Sequence, residues 1–443
     1  MEQDNNKKYL IERRKKLCEN VQPGLVILDS ARECFYNHDC SYPYRQNSDL
    51  YYYCNIEQTD STLVLEVKED KTFESHIFVT PRDPQLEIWT GKILSHDEVK
   101  ALYGIDHVYD NTEQEIKERL GKLFSQHKDK HLYFNCPNST SKILKFIEEN
   151  KTGYQIGNLL EITEAQRCVK DISEIELMRK AAKLSAEAHK FAMEDTCPEI
   201  FEYELDACII FNTMKYGSKR LAYPSIVASG NNATTLHYQK NDCVLKDGDL
   251  VLVDAGCEYQ YYASDITRTW PVNGRFTDSQ KEIYQLVLDC QKKCIEMVKP
   301  GITLYDIHLK SVEIITEGLI KLGLLEGSIE DNITERNTVF GKYSYTKYYM
   351  HGLGHWLGLD VHDCRSVSMR KTKLVPGHVF TIEPGIYISK DDANVPDKYK
   401  GIGVRIEDDI LVTETGYEVL SKDVPKEIKD IENTVYGGKS FRF

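Results

Sequence analysis

The chain alternates between two hydrophobic rhythms. Continuous apolar runs such as Leu25-Val26-Ile27-Leu28 and Thr62-Leu63-Val64-Leu65-Glu66-Val67 read as strands. From about residue 8 to 165 such runs alternate with helical stretches, including an amphipathic one from Asn111 to Ser125, which predicts an α/β domain. Near 165–173 the pattern changes. Ser173-Glu174-Ile175-Glu176 has the form of a capping box, with Ser173 accepting from the amide of Glu176, and opens a helix expected to run to about Glu194. A second helix is expected from Phe201 to Tyr216. A third carries Ile283, Leu286, Val287, Cys290, Cys294, Met297 and Val298 on one face and stops at Pro300-Gly301; a fourth spans Leu304 to Leu322. Between and after them lie β-rich segments at 225–229, 236–243, 249–254, 259–272, 378–389 and 402–413. Helix pairs with antiparallel-looking strands indicate an α+β domain. With 443 residues in all, the boundary divides the chain into domains 1–170 and 171–443.

Composition narrows the function. A net charge of −14 argues against a nucleic-acid or anionic-membrane partner. Met1 to Asn20 lacks the apolar core of a signal peptide, and no stretch approaches the roughly twenty apolar residues that span a bilayer. The thirteen cysteines form no CxxC pair, so a cytoplasmic location is expected. Cys290 and Cys294 share a helix face and read as small hydrophobes, not as metal ligands.

A faint internal repeat is the first hint of chemistry. The segment from Leu245 through Gly248 to Asp254 and Gly256 aligns with that from Leu374 through Gly377 to Glu383 and Gly385. Each copy is a tight glycine turn, an apolar strand and a carboxylate at its end, where a charge is costly unless neutralised. Asp265 follows Asp254 by eleven residues, enough for a hairpin that sets the two face to face. Two such carboxylates repel each other unless a proton or cation lies between them. His355 sits in a run holding His351, His362 and three glycines, which implies close backbone approach and a polar pocket. Glu383 and Glu407 complete a set of two Asp, one His and two Glu. Oxygen donors with one imidazole suit a pair of divalent cations, manganese above all, although cobalt or zinc can occupy such sites. The absence of thiolate ligands in this set argues against its being a structural zinc site. The adjoining pair Asp408-Asp409 reads as a solvated strand end, and His308 and His378 as structural.

These motifs resemble the aminopeptidase P and prolidase family, whose catalytic domain has the pita-bread fold. The resemblance covers essentially the whole chain. It is carried by Asp265-Ile266-Thr267-Arg268-Thr269, by the segment from His355 to Asp363, and by Tyr42-Pro43-Tyr44-Arg45 and Glu87-Ile88-Trp89. It implies a C-terminal pita-bread catalytic domain preceded by an α/β N-terminal domain. It also implies two divalent metal ions per chain on Asp254, Asp265, His355, Glu383 and Glu407. Asp254 would hold one ion, His355 and Glu383 the other, and Asp265 and Glu407 would bridge. A hydroxide between the ions would attack the carbonyl, with Glu383 as proton shuttle. His237, His351 and His362 would line the site, and Arg405 would pair with a carboxylate. Tyr387 and Trp89 would wall a proline pocket, Trp89 from a neighbouring subunit, so a homo-oligomer, dimer or tetramer, is expected. The implied substrate is a peptide with proline in second position.

One departure stands out. After His362-Asp363 the run Cys364-Arg365-Ser366-Val367-Ser368 replaces the family's usual Val-Gly and aromatic, which bears on the pocket rim. A prolidase needs the same ligands and differs in room beyond proline. A non-catalytic interaction module of the same fold typically loses ligands, as does creatine amidinohydrolase; all five are present here.

Overall fold

The structure, a computed structural model, describes residues 2–335, 341 and 343–437. The chain divides into two compact units, Met1–Gln166 and Arg167–Phe443.

The first unit is built on a six-stranded mixed sheet. Its strands are β1 (Gly24–Asp29), β4 (Thr62–Val67), β5 (Phe73–Val79), β6 (His107–Asp110), β7 (His131–Asn135) and β8 (Gln155–Gly157). A small hairpin, β2 (Phe35–Asn37) and β3 (Cys40–Ser41), stands apart from it. The order is β6-β5-β4-β1-β7-β8, with β4 antiparallel to both neighbours and the other pairs parallel. Leu25, Ile27, Val64 and Phe78 pack one face against Ile116, Leu120, Leu123 and Phe124. Those last four belong to the amphipathic stretch expected at 111–125. Thr112 caps it by accepting from the amide of Glu115 at 3.2 Å, and a π-helical turn at Ile116–Leu120 interrupts it before Gly121–Gln126.

The second unit holds four long helices, Ile172–Asp195, Glu202–Lys215, Asp278–Glu296 and Leu304–Lys321, all at the expected places. Its strands are β9 (Arg220–Leu221), β10 (Ile226–Ser229), β11 (Leu250–Asp254), β12 (Cys257–Tyr259), β13 (Tyr262–Ala263), β14 (Thr267–Pro271), β15 (Val379–Ile382), β16 (Gly385–Ile388), β17 (Ile402–Arg405), β18 (Asp408–Val412) and β19 (Tyr417–Val419). They form small antiparallel sheets, β10-β11-β14, β13-β12-β9, β15-β18-β19 and β16-β17. The repeat has a structural counterpart. Gly248 and Gly377 both turn at positive φ, 85° and 92°, and each turn feeds a fully buried strand, β11 or β15, with a carboxylate just at or beyond its end. Cys290 and Cys294 are buried among apolar side chains in the core.

Two expectations are corrected. The capping box lies two residues earlier: Asp171 Oδ1 accepts from the amides of Ser173 and Glu174 at 2.9 and 3.1 Å, and Glu174 accepts from the amide of Asp171. A carboxylate in that position caps as well as a hydroxyl, and the Ser173 hydroxyl simply donates to it. The segment 236–243 is a loop, not a strand. Asn241, at φ 49°, accepts from the amide of Val227 and donates to the carbonyl of Ser225, both at 3.0 Å. One side chain therefore replaces the strand that would have satisfied the edge of β10.

Candidate metal centre

Five strand ends of the second unit converge. Asp254 closes β11, and the register Asp254↔Thr267 brings in the start of β14, two residues after Asp265. The expected hairpin thus places both aspartates at one phenol: Tyr223 Oη lies 2.7 Å from Asp254 Oδ1 and 2.6 Å from Asp265 Oδ1. Glu383 follows β15. His355 reaches the same place because its loop runs hard against β15, where a Cβ at Gly354 would fall 1.9 Å from the carbonyl oxygen of Thr381. The His355 amide donates to Thr381 Oγ1 at 3.1 Å, and the Thr381 amide donates to the His355 carbonyl at 2.9 Å. Glu407 lies between β17 and β18; its amide donates to the Thr267 carbonyl, and Thr267 Oγ1 donates to its Oε2 at 2.6 Å.

Asp265, His355 and Glu407 offer donor atoms that all lie within 4.8 Å of one another. His355 Nε2 is 3.3 Å from Asp265 Oδ2 and 3.6 Å from Glu383 Oε1. Together with Asp254 they line a pocket of about 520 Å³ that also takes in His237, His351, His362 and Arg405.

The charge in this pocket is unbalanced. Four carboxylates face one guanidinium, Arg405, which donates to Asp254 Oδ2 at 2.6 Å, Thr267 Oγ1 at 3.1 Å and Tyr387 Oη at 3.0 Å. Burial, and then the neighbouring carboxylates, hold Glu407 well above the usual carboxylate range. Burial likewise raises Asp254 in spite of Arg405, and raises Glu383 to about 7. Burial would raise Asp265 too, but the hydrogen bond and charge of His355 outweigh it and hold this carboxyl low. Burial would lower His355; Asp265 and Glu383 outweigh that and lift it to about 9. A site that holds protons this tightly in place of a counter-charge fits divalent cations, and its oxygen-rich donor set with one imidazole is of the right kind.

Two histidines around the pocket, His351 and His362, are kept neutral. Burial, followed by Arg405, drives His351 down to about 3, and its Nε2 lies 2.8 Å from Tyr387 Oη. Burial and then His355 lower His362, whose ring meets that of His355 edge-on at 4.3 Å.

One expected pocket wall is placed elsewhere. Tyr387 is buried behind His351 and Arg405, held there by their hydrogen bonds, and the apolar lining comes instead from Ile226, Leu236, Val361 and Met369. Trp89 lies in the first unit on the helix Pro84–Thr90 and is 86% exposed. The acidic pair is corrected as well. Asp408 and Asp409 are buried, not solvated. Asp408 pairs with Arg268 and Lys426, both at 2.6 Å, and burial notwithstanding, these cations hold its carboxyl well below the usual range. Asp409 accepts from the amide of Asp265 at 3.1 Å. Two further residues shape the site: Tyr223, 31 residues from Asp254 and without a signal in the sequence, and Thr267, which the sequence shows only as part of the Asp265–Thr269 motif.

The fold and the site together are those of a metal-dependent peptidase with the pita-bread architecture of aminopeptidase P. The chain belongs to metallopeptidase family M24, which it matches over residues 176–414, preceded by a match to the aminopeptidase P N-terminal domain over 10–133. It is similar to the Xaa-Pro aminopeptidase of Haemophilus influenzae, 40% identical over 95% of this chain and 96% of that one. Among solved structures it is similar to aminopeptidase P from Escherichia coli with the inhibitor Pro-Leu, at a TM-score of 0.89 and 36% identity over 98% of both chains. The zinc-substituted form of that enzyme in complex with product gives a TM-score of 0.90 over 98% of this chain and 99% of that one.

Proposed function

We propose that the chain is an Xaa-Pro aminopeptidase that hydrolyses the bond between an N-terminal residue and a following proline at a dinuclear centre. The observation that carries this reading is the convergence of Asp254, Asp265, His355, Glu383 and Glu407 in one pocket with an apolar wall beside it. Asp254 would hold one ion, His355 and Glu383 the other, with Asp265 and Glu407 between them. A pair of divalent ions bound there, manganese for preference, would supply an activated water at neutral pH and polarise the scissile carbonyl.

The chain's own residues do the rest. Glu383, in the same pocket, would take a proton from water and give it to the leaving proline nitrogen. The neutral imidazole of His362, with His237 on the same wall, can donate to the substrate carbonyl and the oxyanion that follows it, while His351, whose Nδ1–H is taken by the Gly352 carbonyl, lines the same wall. Arg405 holds Asp254 in one orientation, and Tyr387 braces both Arg405 and His351. The carboxylate-rich end suits a free α-ammonium, which makes the activity exopeptidic. Ile226, Leu236, Val361 and Met369 suit a pyrrolidine ring. No helix among the described residues is long and apolar enough to cross a membrane. Exposed Trp89 supports a homo-oligomer in which it walls the pocket of another copy.

The test is hydrolysis of Ala-Pro and Ala-Pro-Ala by manganese-loaded protein, with chelator-treated protein as control. Metal-dependent release of alanine from Ala-Pro-Ala supports the proposal. Cleavage of the dipeptide alone replaces it with a prolidase, and cleavage of neither by metal-loaded protein rejects the substrate.

A further inference from the structure

A second group of imidazoles and carboxylates lies far along the sequence from the M24 ligands, on the sheet of the first unit. Glu66 of β4 stands opposite Glu74 of β5, and His76 of β5 stands opposite His107 of β6. Glu74 and His76 are two apart on β5, so all four side chains rise from one face. His107 Nε2 is 3.2 Å from Glu74 Oε2, and His76 Nε2 is 3.6 Å from Glu66 Oε2. The rings of His76 and His107 lie near parallel with centroids 4.7 Å apart. His127 Nε2, 2.8 Å from Glu66 Oε1, fixes that carboxylate in place.

The independent sign of a missing ligand is His76. It is only 5% exposed, yet neither of its ring nitrogens has a hydrogen-bond partner. A buried imidazole left so is costly unless something binds its lone pair. Glu74, His76 and His107 offer donor atoms all within 4.8 Å of one another. Bonds of about 2.0–2.1 Å to a tetrahedral zinc ion set donor atoms about 3.4 Å apart, between the 3.2 and 3.6 Å separations already present. Lys68 Nζ holds the other oxygen of Glu74 at 2.6 Å, leaving Oε2 facing the histidines.

We propose that Glu74, His76 and His107, with Glu66 as fourth donor, form a binding site for a zinc-class divalent cation on the N-terminal sheet. Two imidazoles and two carboxylates favour zinc over harder ions such as magnesium or calcium. Burial, and then His107, push His76 below its ordinary value, the neutral state a ligand needs. The ion would clip the edge strand β6 to β5 and β4, so its role is to stabilise the sheet, not to turn over substrate.

The test compares full-length parent, His107→Gln and Glu74→Gln after dialysis against one zinc-buffered solution. Zinc per chain is read by elemental analysis, and alanine release from Ala-Pro-Ala by each protein after manganese loading. Because the readout is a difference, it does not depend on how many ions the catalytic pocket takes. The expected result is one zinc fewer per chain in both variants, with activity equal to the parent's and a zinc-induced rise in melting temperature that is lost. Equal zinc content in all three proteins overturns the proposal, as does a zinc loss accompanied by a proportional loss of activity.

Discussion

Arg405 is the one guanidinium among the described residues that hydrogen-bonds to a carboxylate of the centre, Asp254, so its removal tests the electrostatic account of the centre. The residue is 4% exposed and its side chain makes three hydrogen bonds, the shortest to Asp254 Oδ2 at 2.6 Å. In chelator-treated protein, Arg405→Leu strands the Asp254 carboxylate in a buried site with Tyr223 as its remaining donor. Breaking a buried pair from one side costs about 3–5 kcal/mol. Arg405→Lys keeps the charge but cannot reach Asp254, Thr267 and Tyr387 together. It should lose about two hydrogen bonds at about 0.5–1.5 kcal/mol each. The assay is urea unfolding of parent and both variants in chelator at pH 8 and at pH 5. At the lower pH the stranded carboxyl can take up a proton, so the leucine deficit should shrink. In metal-loaded protein, misorientation of Asp254 should lower kcat/KM by about 10²-fold or more, since about 1.4 kcal/mol is tenfold. A leucine variant within about 1 kcal/mol of the parent at pH 8 would refute the reasoning. So would a lysine variant as unstable as the leucine one.

Further predictions concern the ligands and their protons. Asp265→Ala or Glu407→Ala should abolish peptide hydrolysis while circular dichroism shows the fold kept; activity retained with one ion per chain contradicts the bridging roles. Glu383 is raised to about 7 in the folded, metal-free protein, so it binds a proton more tightly than the unfolded chain does. That contribution to stability is present at low pH and lost as pH rises through about 7, whereas cation binding must displace the proton and so tightens over the same range. Calorimetry of manganese binding in buffers of different ionisation enthalpy should detect proton release that fades above that pH; none at pH 6.5 argues against the assignment. Asp408 has the opposite sign, because its folded pKa is depressed by Arg268 and Lys426. It stabilises above the unfolded carboxylate range and loses that contribution only as pH falls well below that range, so Asp408→Asn should cost about 3 kcal/mol at pH 7, most of it still present near pH 3 and fading in stronger acid, in denaturant unfolding.

What was legible in the sequence is local. The four long helices of the second unit follow from apolar residues at helical spacing, and most strands from short apolar runs bounded by glycine turns. The carboxylates at the ends of such runs, Asp254 and Glu383, drew notice because a charge beside a buried strand demands a counter-charge. What only the tertiary structure decided is which groups share a space. Asp408 and Asp409 look like any acidic strand end until Arg268 and Lys426, far apart in the chain, close over the first and the Asp265 amide meets the second. Tyr387 looks like a pocket wall, but the pairing of β16 with β17 sets it beside Arg405. Residues 236–243 look like a strand, yet one asparagine side chain satisfies the edge they would have paired. Hydrophobic period is a property of neighbours along the chain and can be read there. Charge compensation, hydrogen-bond satisfaction and pocket lining join residues brought together by folding, and no spacing in the sequence encodes them.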